Sequence, residues 1–488
     1  MAYRSPGVFN REIDDSLYAQ GGPTSVAGMV GVATKGPVGE PVLVTSWPQF
    51  QEVFGGFRND SYLPIAAKGF FDEGGSTLYV VRTAHYTDVT DAGTLTADTA
   101  TSTFEDGATS VVLNVHAVSQ GTWANGLQVT VTTTNDLFDL EVLDADGNLL
   151  ERFRSLSMDP DDEFFVENVV NFSSLYVQAE AVATDAPATA TQTLAGGDDG
   201  LTSLADADFI GDAGAQTGIY AFDSVENVAL LAIPGVSSVA VHNALAQYVE
   251  GREYMFAVLG APQNMSPQDV MTHRGSLTGP YASLYWPWIR MPSPANGLTI
   301  TVPVEGHVLG VIAGGDRLHG VWGAPAGLTR GRIRSAIGVE YDSSQGERDE
   351  LYDDSINVIA SFRGQGTVLW GQKTLTARPS ALDRVNVRRL LNHIKSTAAD
   401  TSRYLLFEPN DERTWEKFTR FMEPFLQNIR QRRGLMDYRV VCDATTNTPY
   451  YIDRNQMVAK IFIKPTKAAE FIEIQYIVTG SGVDFDES

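Results

Sequence analysis

Val228-Ala229-Leu230-Leu231-Ala232-Ile233-Pro234-Gly235 is a run of six apolar residues closed by a Pro-Gly turn. A short segment that is apolar at every position, rather than at alternate ones, suits a strand buried on both faces. Its neighbours decide the layer it belongs to. Val239 to Val249 reads as a helix and Met255 to Leu259 as a second apolar strand, while Thr299–Val304, Gly306–Ala313 and Thr367–Gly371 continue the alternation. Leu284-Tyr285-Trp286-Pro287-Trp288-Ile289 reads as a buried aromatic strand end rather than a ligand platform. Buried strands alternating with helices predict a doubly wound α/β core over residues 201–375.

Outward from that core, the first twenty residues are polar and turn-rich apart from Val8, Phe9, Ile13, Leu17 and Tyr18, and read as an extended arm. Residues 21–86 read as a further α/β segment packing with the core. They hold strands at Thr24–Ala33, Pro41–Thr45 and Leu78–Arg82, a helix capped by Ser46, and a second helix over Tyr62–Phe71. Residues 87–200 change to Thr/Val/Asp-rich alternation, with strands at Val111–Val115, Leu127–Thr133, Phe138–Val142 and Leu149–Phe153 and a hairpin signal at Asp146-Gly147. They predict an inserted acidic all-β domain. Residues 376–488 predict a C-terminal α+β domain. Its helices are Asp383–Ala399 and Asp411–Arg433, the second kinked at Pro424; its strands are Met457–Lys464 and Glu470–Val478, followed by an acidic tail.

The 488 residues suffice for about three domains, and a 43% hydrophobic composition supports sizeable cores. Acidic residues outnumber basic ones by 60 to 35. Between Tyr86 and Gly235 stand 25 acids and two bases, Arg152 and Arg154, a net of −23 out of −25 for the chain. Such a surface repels nucleic acid and anionic lipid, so neither is expected as a direct partner. One cysteine, Cys442, forbids an internal disulfide and fits folding in a reducing cytoplasm. The first residues have no apolar signal core and no run approaches 18 apolar residues, so a soluble protein made in the cytosol is expected.

The motifs of common catalytic sites are missing. There is no Gly-x-Ser-x-Gly elbow, no phosphate-cradling loop, no Gly-x-Gly-x-x-Gly and no His-Glu-x-x-His. Asp144-Ala145-Asp146-Gly147 lacks the later ligands of a calcium loop. His307 and His319 flank Asp316 without a partnered nucleophile and read as structural. No catalytic residue, metal ligand or cofactor is expected; an α/β hydrolase is the weaker alternative reading.

Motifs in order along the chain resemble contractile tail sheath proteins of bacteriophages and related injection particles. They are Ser5-Pro6-Gly7-Val8-Phe9, Thr24-Ser25-Val26-Ala27-Gly28, Tyr79-Val80-Val81-Arg82, Trp123-Ala124-Asn125-Gly126-Leu127, Trp370-Gly371-Gln372-Lys373, Asn386-Val387-Arg388-Arg389-Leu390 and Phe407-Glu408-Pro409-Asn410. Asp161 to Thr193 matches least.

That resemblance implies a non-enzymatic virion subunit, assembled in the host cytoplasm. It would polymerise with itself around a tail tube protein, meet baseplate and tail terminator proteins, and contract to drive the tube through the host envelope; a non-contractile tube or capsule protein is the alternative. It further implies that the arm joins a neighbouring subunit's C-terminal sheet, with Val8, Phe9 and Ile13 facing Ile461, Ile463, Phe471 and Ile474. Arg413, Lys417, Arg420, Arg430, Arg432 and Arg433 are the expected tube-facing cations.

Overall fold

The computed structural model describes residues 22–376, 380–471 and 473. Contacts divide the chain into two compact units between Pro409 and Asn410.

The first unit is organised on one nine-stranded sheet. Strand β1 (Ala27–Gly31) lies in its interior, third from the edge formed by β2 (Pro41–Val44), and helices α1 (Trp47–Phe54) and α2 (Leu63–Asp72) precede β3 (Leu78–Arg82). After the excursion of residues 87–200 come a short helix α4 (Asp206–Ile210), β11 (Leu230–Ala232), α5 (Val239–Arg252), β12 (Phe256–Gly260), α6 (Pro267–Gly275) and β13 (Ala282–Trp286). A small three-stranded sheet holds β14 (Ile289–Pro292), β15 (Thr299–Val302) and β17 (Gly338–Val339). Between its strands lie α7 (Glu305–His319), α8 (Gly327–Arg330) and β16 (Arg332–Ile333). Helix α9 (Gln345–Asp353), β18 (Ile356–Phe362), β19 (Gly366–Leu369) and α10 (Val385–Arg403) complete the unit.

The sheet runs β2-β3-β1-β11-β12-β13-β18-β19-β16. Every pairing from β3 to β18 is parallel, and antiparallel pairs close both edges. Because side chains alternate across a strand, Leu230 and Ala232 enter one core with Phe50, Phe70, Val308 and Ile312, from α1, α2 and α7. Leu231 enters the opposite core with Val241, Leu245 and Val270, from α5 and α6. Burial on both faces is why this strand is apolar throughout. Gly306–Ala313 forms the body of α7. Its glycines let two helices touch: a Cβ on Gly306 would lie 2.2 Å from the Ala66 carbonyl of α2, and one on Gly310 would lie 2.6 Å from that of Phe70.

Residues 87–200 build two antiparallel sheets. One is β10-β6-β7-β8 (Ala190–Thr193, Gln128–Thr134, Leu137–Leu143, Leu149–Leu156) and the other β4-β5-β9 (Thr101–Glu105, Val111–Ala117, Val177–Ala181). The segment is not all strand, since helix α3 (Val166–Ser173) buries Val166 and Val170, one turn apart, in the core those sheets enclose. Its joint with the large sheet is polar and tight. The Arg82 guanidinium, 1% exposed, donates to the carbonyls of Gly36 (2.8 Å) and Gln120 (2.7 Å). Asp199 accepts from Arg58 (3.1 Å) and from the Thr122 amide (2.9 Å), and Lys35 lies over the rings of Trp123 and Tyr176. The excursion begins and ends side by side, with the His85 amide 2.7 Å from the Gly200 carbonyl.

Candidate assembly surface

The second unit begins with α11 (Glu412–Gln431), capped by Asp411, whose carboxylate accepts from the Thr414 amide. Trp415, Phe418, Met422, Leu426 and Ile429 recur at helical spacing and are buried, forming the apolar stripe an amphipathic helix needs. The helix continues through Pro424, which is exposed, so water can take the carbonyl that its missing N–H leaves free. It ends where Arg433 adopts φ +67 and the Gly434 amide donates to the Ile429 carbonyl.

Against this helix lies a two-stranded antiparallel sheet, β20 (Leu435–Val441) and β21 (Lys460–Pro465). Tyr438 OH reaches the Glu423 carbonyl and the Gln427 side chain, which turns that face of β20 toward α11. Ile463 and Ile461 are the cross-strand partners of Tyr438 and Val440 and share the same face, half-buried. Lys460, Phe462 and Lys464 alternate onto the other face and are exposed. Asn447 sets the start of β21: its side chain accepts from the Val458 amide (2.6 Å) and donates to the Val458 carbonyl (3.2 Å). It also approaches Cys442 Sγ at 3.7 Å, and burial raises the pKa of that thiol.

Among the described residues this sheet has two strands and no more, so each strand presents an unpaired outer edge. A two-stranded ribbon is marginal alone, and open edges accept further strands. Of the residues expected to form inter-subunit strands, Ile461 and Ile463 lie in β21. Phe471 is 83% exposed and belongs to no strand. Ile474, Val8, Phe9 and Ile13 lie outside the described residues, as does most of Glu470–Val478. The expected strand Met457–Lys464 starts at Lys460, because Val458 is engaged by Asn447.

All six expected tube-facing cations are exposed, on α11 and its C-terminal turn. They share the surface with carboxylates: Arg420 pairs with Glu416 at 3.1 Å, and Glu412 and Glu423 are exposed nearby in sequence. Elsewhere, Asp316 is engaged by the Arg389 guanidinium (2.9 and 2.5 Å), while His307 is fully buried and His319 exposed. Asp144 accepts from the Asp146 and Asn148 amides, which makes Asp144–Asn148 a hairpin turn. No group of three or more potential metal-ligating side chains occurs among the described residues.

Sequence reasoning did not single out α10 as more than an amphipathic helix. It is buried on most of its circumference, including Asn386, Arg388, Arg389, Asn392 and Thr397. Polar residues interleaved at helical spacing with Val387, Leu390 and Ile394 are the trace this leaves in the sequence.

Residues 210–375 match the family model described as phage tail sheath protein central domain, and residues 377–479 match the phage tail sheath C-terminal domain. Together these take up more than half of the chain. The tail sheath protein of Vibrio phage KVP40 is 42% identical over 186 residues, 38% of this chain and 28% of that protein. That of Enterobacteria phage T4 is 40% identical over 192 residues, 39% of this chain and 29% of that one. The matched stretch thus spans less than a third of these relatives' length. Similar folds over nearly the whole chain are the contracted helical sheath of the anti-feeding prophage (TM-score 0.59, 17% identity, 98% of this chain and 99% of that one) and a sheath tail protein from Listeria innocua (TM-score 0.61, 13% identity, 91% and 96%).

Proposed function

The chain belongs to the phage tail sheath family, and on that premise we propose that it is the repeating subunit of a contractile sheath. It polymerises with itself around a tail tube in the virion, meets baseplate and terminator proteins at the ends, and shortens to push the tube through the host envelope. The work comes from the difference in inter-subunit contacts between an extended and a contracted lattice.

The observation that carries this reading is the sheet β20–β21, which among the described residues has two strands, two open edges and a helix on one face. The arm, residues 1–20, has too few apolar side chains for a core of its own and suits the role of an added strand from a neighbouring copy. Four or five main-chain hydrogen bonds at about 1 kcal/mol net each, with burial of Val8, Phe9 and Ile13, make a joint strong enough to persist and weak enough to re-form. Joints of this kind let rigid subunits reorient without parting. In the polymer, Phe471 and Ile474 would extend the sheet when a neighbouring arm adds to it, and Ile461 and Ile463 would back it.

The first unit supplies the rigid body: a doubly wound core, residues 201–375 with 21–86, bearing residues 87–200 as an acidic, mainly β insert that keeps particles apart in solution. The cations Arg413, Lys417, Arg420, Arg430, Arg432 and Arg433 make salt-sensitive contacts with an acidic tube. Exposed pairs are each worth about 0–1 kcal/mol, which suits attachments that break on contraction.

The test is negative-stain imaging of the recombinant chain with and without Met1–Gln20. The full chain is expected to form tubes and the truncated one to remain a folded monomer; normal tubes from the truncation refute strand exchange. Tubes of a single diameter under every condition refute contraction.

A further inference from the structure

Helix α10 lies across the end of the large sheet where its parallel strands begin. Its side chains hold the residues just ahead of four adjacent strands. Arg389 donates to the Thr24 carbonyl, ahead of β1 (2.9 Å), and Arg403 pairs with Glu226, ahead of β11 (3.0 Å). Asn392 donates to the Met255 carbonyl at the start of β12 (2.9 Å), and Arg388 lies 4.3 Å from the ring of Tyr281, ahead of β13. Lys395 adds Glu253 and the Tyr281 hydroxyl.

The first described residues run along the same helix. The Gly22 amide donates to Thr397 Oγ1 (3.2 Å), and the His393 ring hydrogen-bonds the Gly22 backbone. A Cβ on Gly22 would lie 2.6 Å from Ser396 Oγ, so any larger residue here would have to displace that hydroxyl. Arg389, His393, Ser396 and Thr397 follow at helical spacing and form one continuous seat. The Arg389 end is fixed in turn by Asp316 of α7, and both side chains of that pair are 5% exposed or less.

We propose that α10 is the tie bar of the subunit: it clamps the root of the N-terminal segment at Gly22–Thr24 and, through Tyr404–Pro409, leads directly into the second unit. Tension on the arm is then delivered to a helix tied to four strands, instead of peeling β1 from the interior of its sheet. An interior strand pulled from its end ruptures bond by bond, whereas a helix tied at many points shares the load. The mechanical part of this inference rests on the strand-exchange reading above; the clamp itself does not.

The experiment uses the full chain and Thr397→Val, which removes the acceptor for the Gly22 amide at nearly constant volume, with Thr397→Ser as the variant that restores it. Hydrogen exchange of peptides spanning Gly22–Val26 is measured in the monomer, and tubes are imaged after shear. Loss of one hydrogen bond is expected to speed exchange at Gly22 roughly five- to tenfold in Thr397→Val and not in Thr397→Ser. Tubes of Thr397→Val are expected to fragment sooner. Gly22→Val, which collides with Ser396, is expected to reproduce both effects. Unchanged exchange in Thr397→Val overturns the clamp whatever the polymers do. Faster exchange with tubes as robust as the parent's overturns the tie-bar role. A parent chain that forms no tubes sinks the sheath reading instead, and the exchange result still decides the clamp.

Discussion

Acid should weaken the first unit, and the size of the effect follows from four buried groups. Burial drives the pKa of His242 down to about 3, helped by the facing His273 ring, and those of His307 and His393 to about 4, helped by Lys68 and Arg389 respectively. The folded protein therefore keeps these rings neutral, while the unfolded chain takes up protons as pH falls through about 6.5. The unfolded state binds more protons, so the stability they contribute is complete above pH 6.5 and is lost as pH falls toward their folded values. At pH 5 each ring costs about 2 kcal/mol. Glu305 opposes them. Its carboxyl is fully buried, held by the Gly235 amide and packed against Gly260, and desolvation raises its pKa to about 7. It takes up its proton in the folded state first and returns about 2–3 kcal/mol between pH 8 and pH 5.

The histidines win. Urea unfolding of the monomer, followed by tryptophan fluorescence, should show a net loss of about 3–4 kcal/mol from pH 8 to pH 5. Glu305→Gln removes the counterweight and should enlarge that loss to about 6 kcal/mol. Stability that is flat or rising toward pH 5 in the parent, or an acid loss unaltered by Glu305→Gln, refutes the reasoning.

Asp316→Ala strands the Arg389 guanidinium in a buried site and should cost about 3–5 kcal/mol in chemical denaturation; a cost below about 1 kcal/mol would mean that the pair is solvated in solution. Charge reversal at Arg430, Arg432 and Arg433 should weaken co-sedimentation with the tube more than sheath self-assembly, and more so at low salt. Equal loss of both removes the tube-facing assignment.

The fold was most legible where punctuation and burial coincide. Pro234-Gly235 closes a strand apolar at every position, and α11 displays its stripe from Trp415 to Ile429. Strand β18 escaped notice because Asn357 interrupts its apolar run. That side chain is fully buried and cross-links the Leu284 carbonyl with both the amide and carbonyl of Lys373, partners that no local pattern reveals. Helix α3 was hidden for a related reason, since Val166 and Val170 face a core assembled from strands on either side of them in sequence. The family's C-terminal model starts at residue 377, whereas the second compact unit begins at Asn410. Helix α10 packs by polar side chains on distant backbone carbonyls, which a hydrophobic pattern does not record. Of the candidate surface, the helix and β21 could be read directly; that Asn447 fixes where β21 starts could not.

The meeting of His85 and Gly200 has an engineering corollary. Everything between them is a loop in the topological sense, leaving and rejoining the body at a single point, with its own core. A foreign domain whose termini are equally close could be spliced in its place, provided that Arg82 of β3, whose buried guanidinium donates to the segment's Gln120 carbonyl and lies near Asp199, is replaced with it. The scaffold thus offers a grafting port through which a cargo of choice could be displayed once per copy.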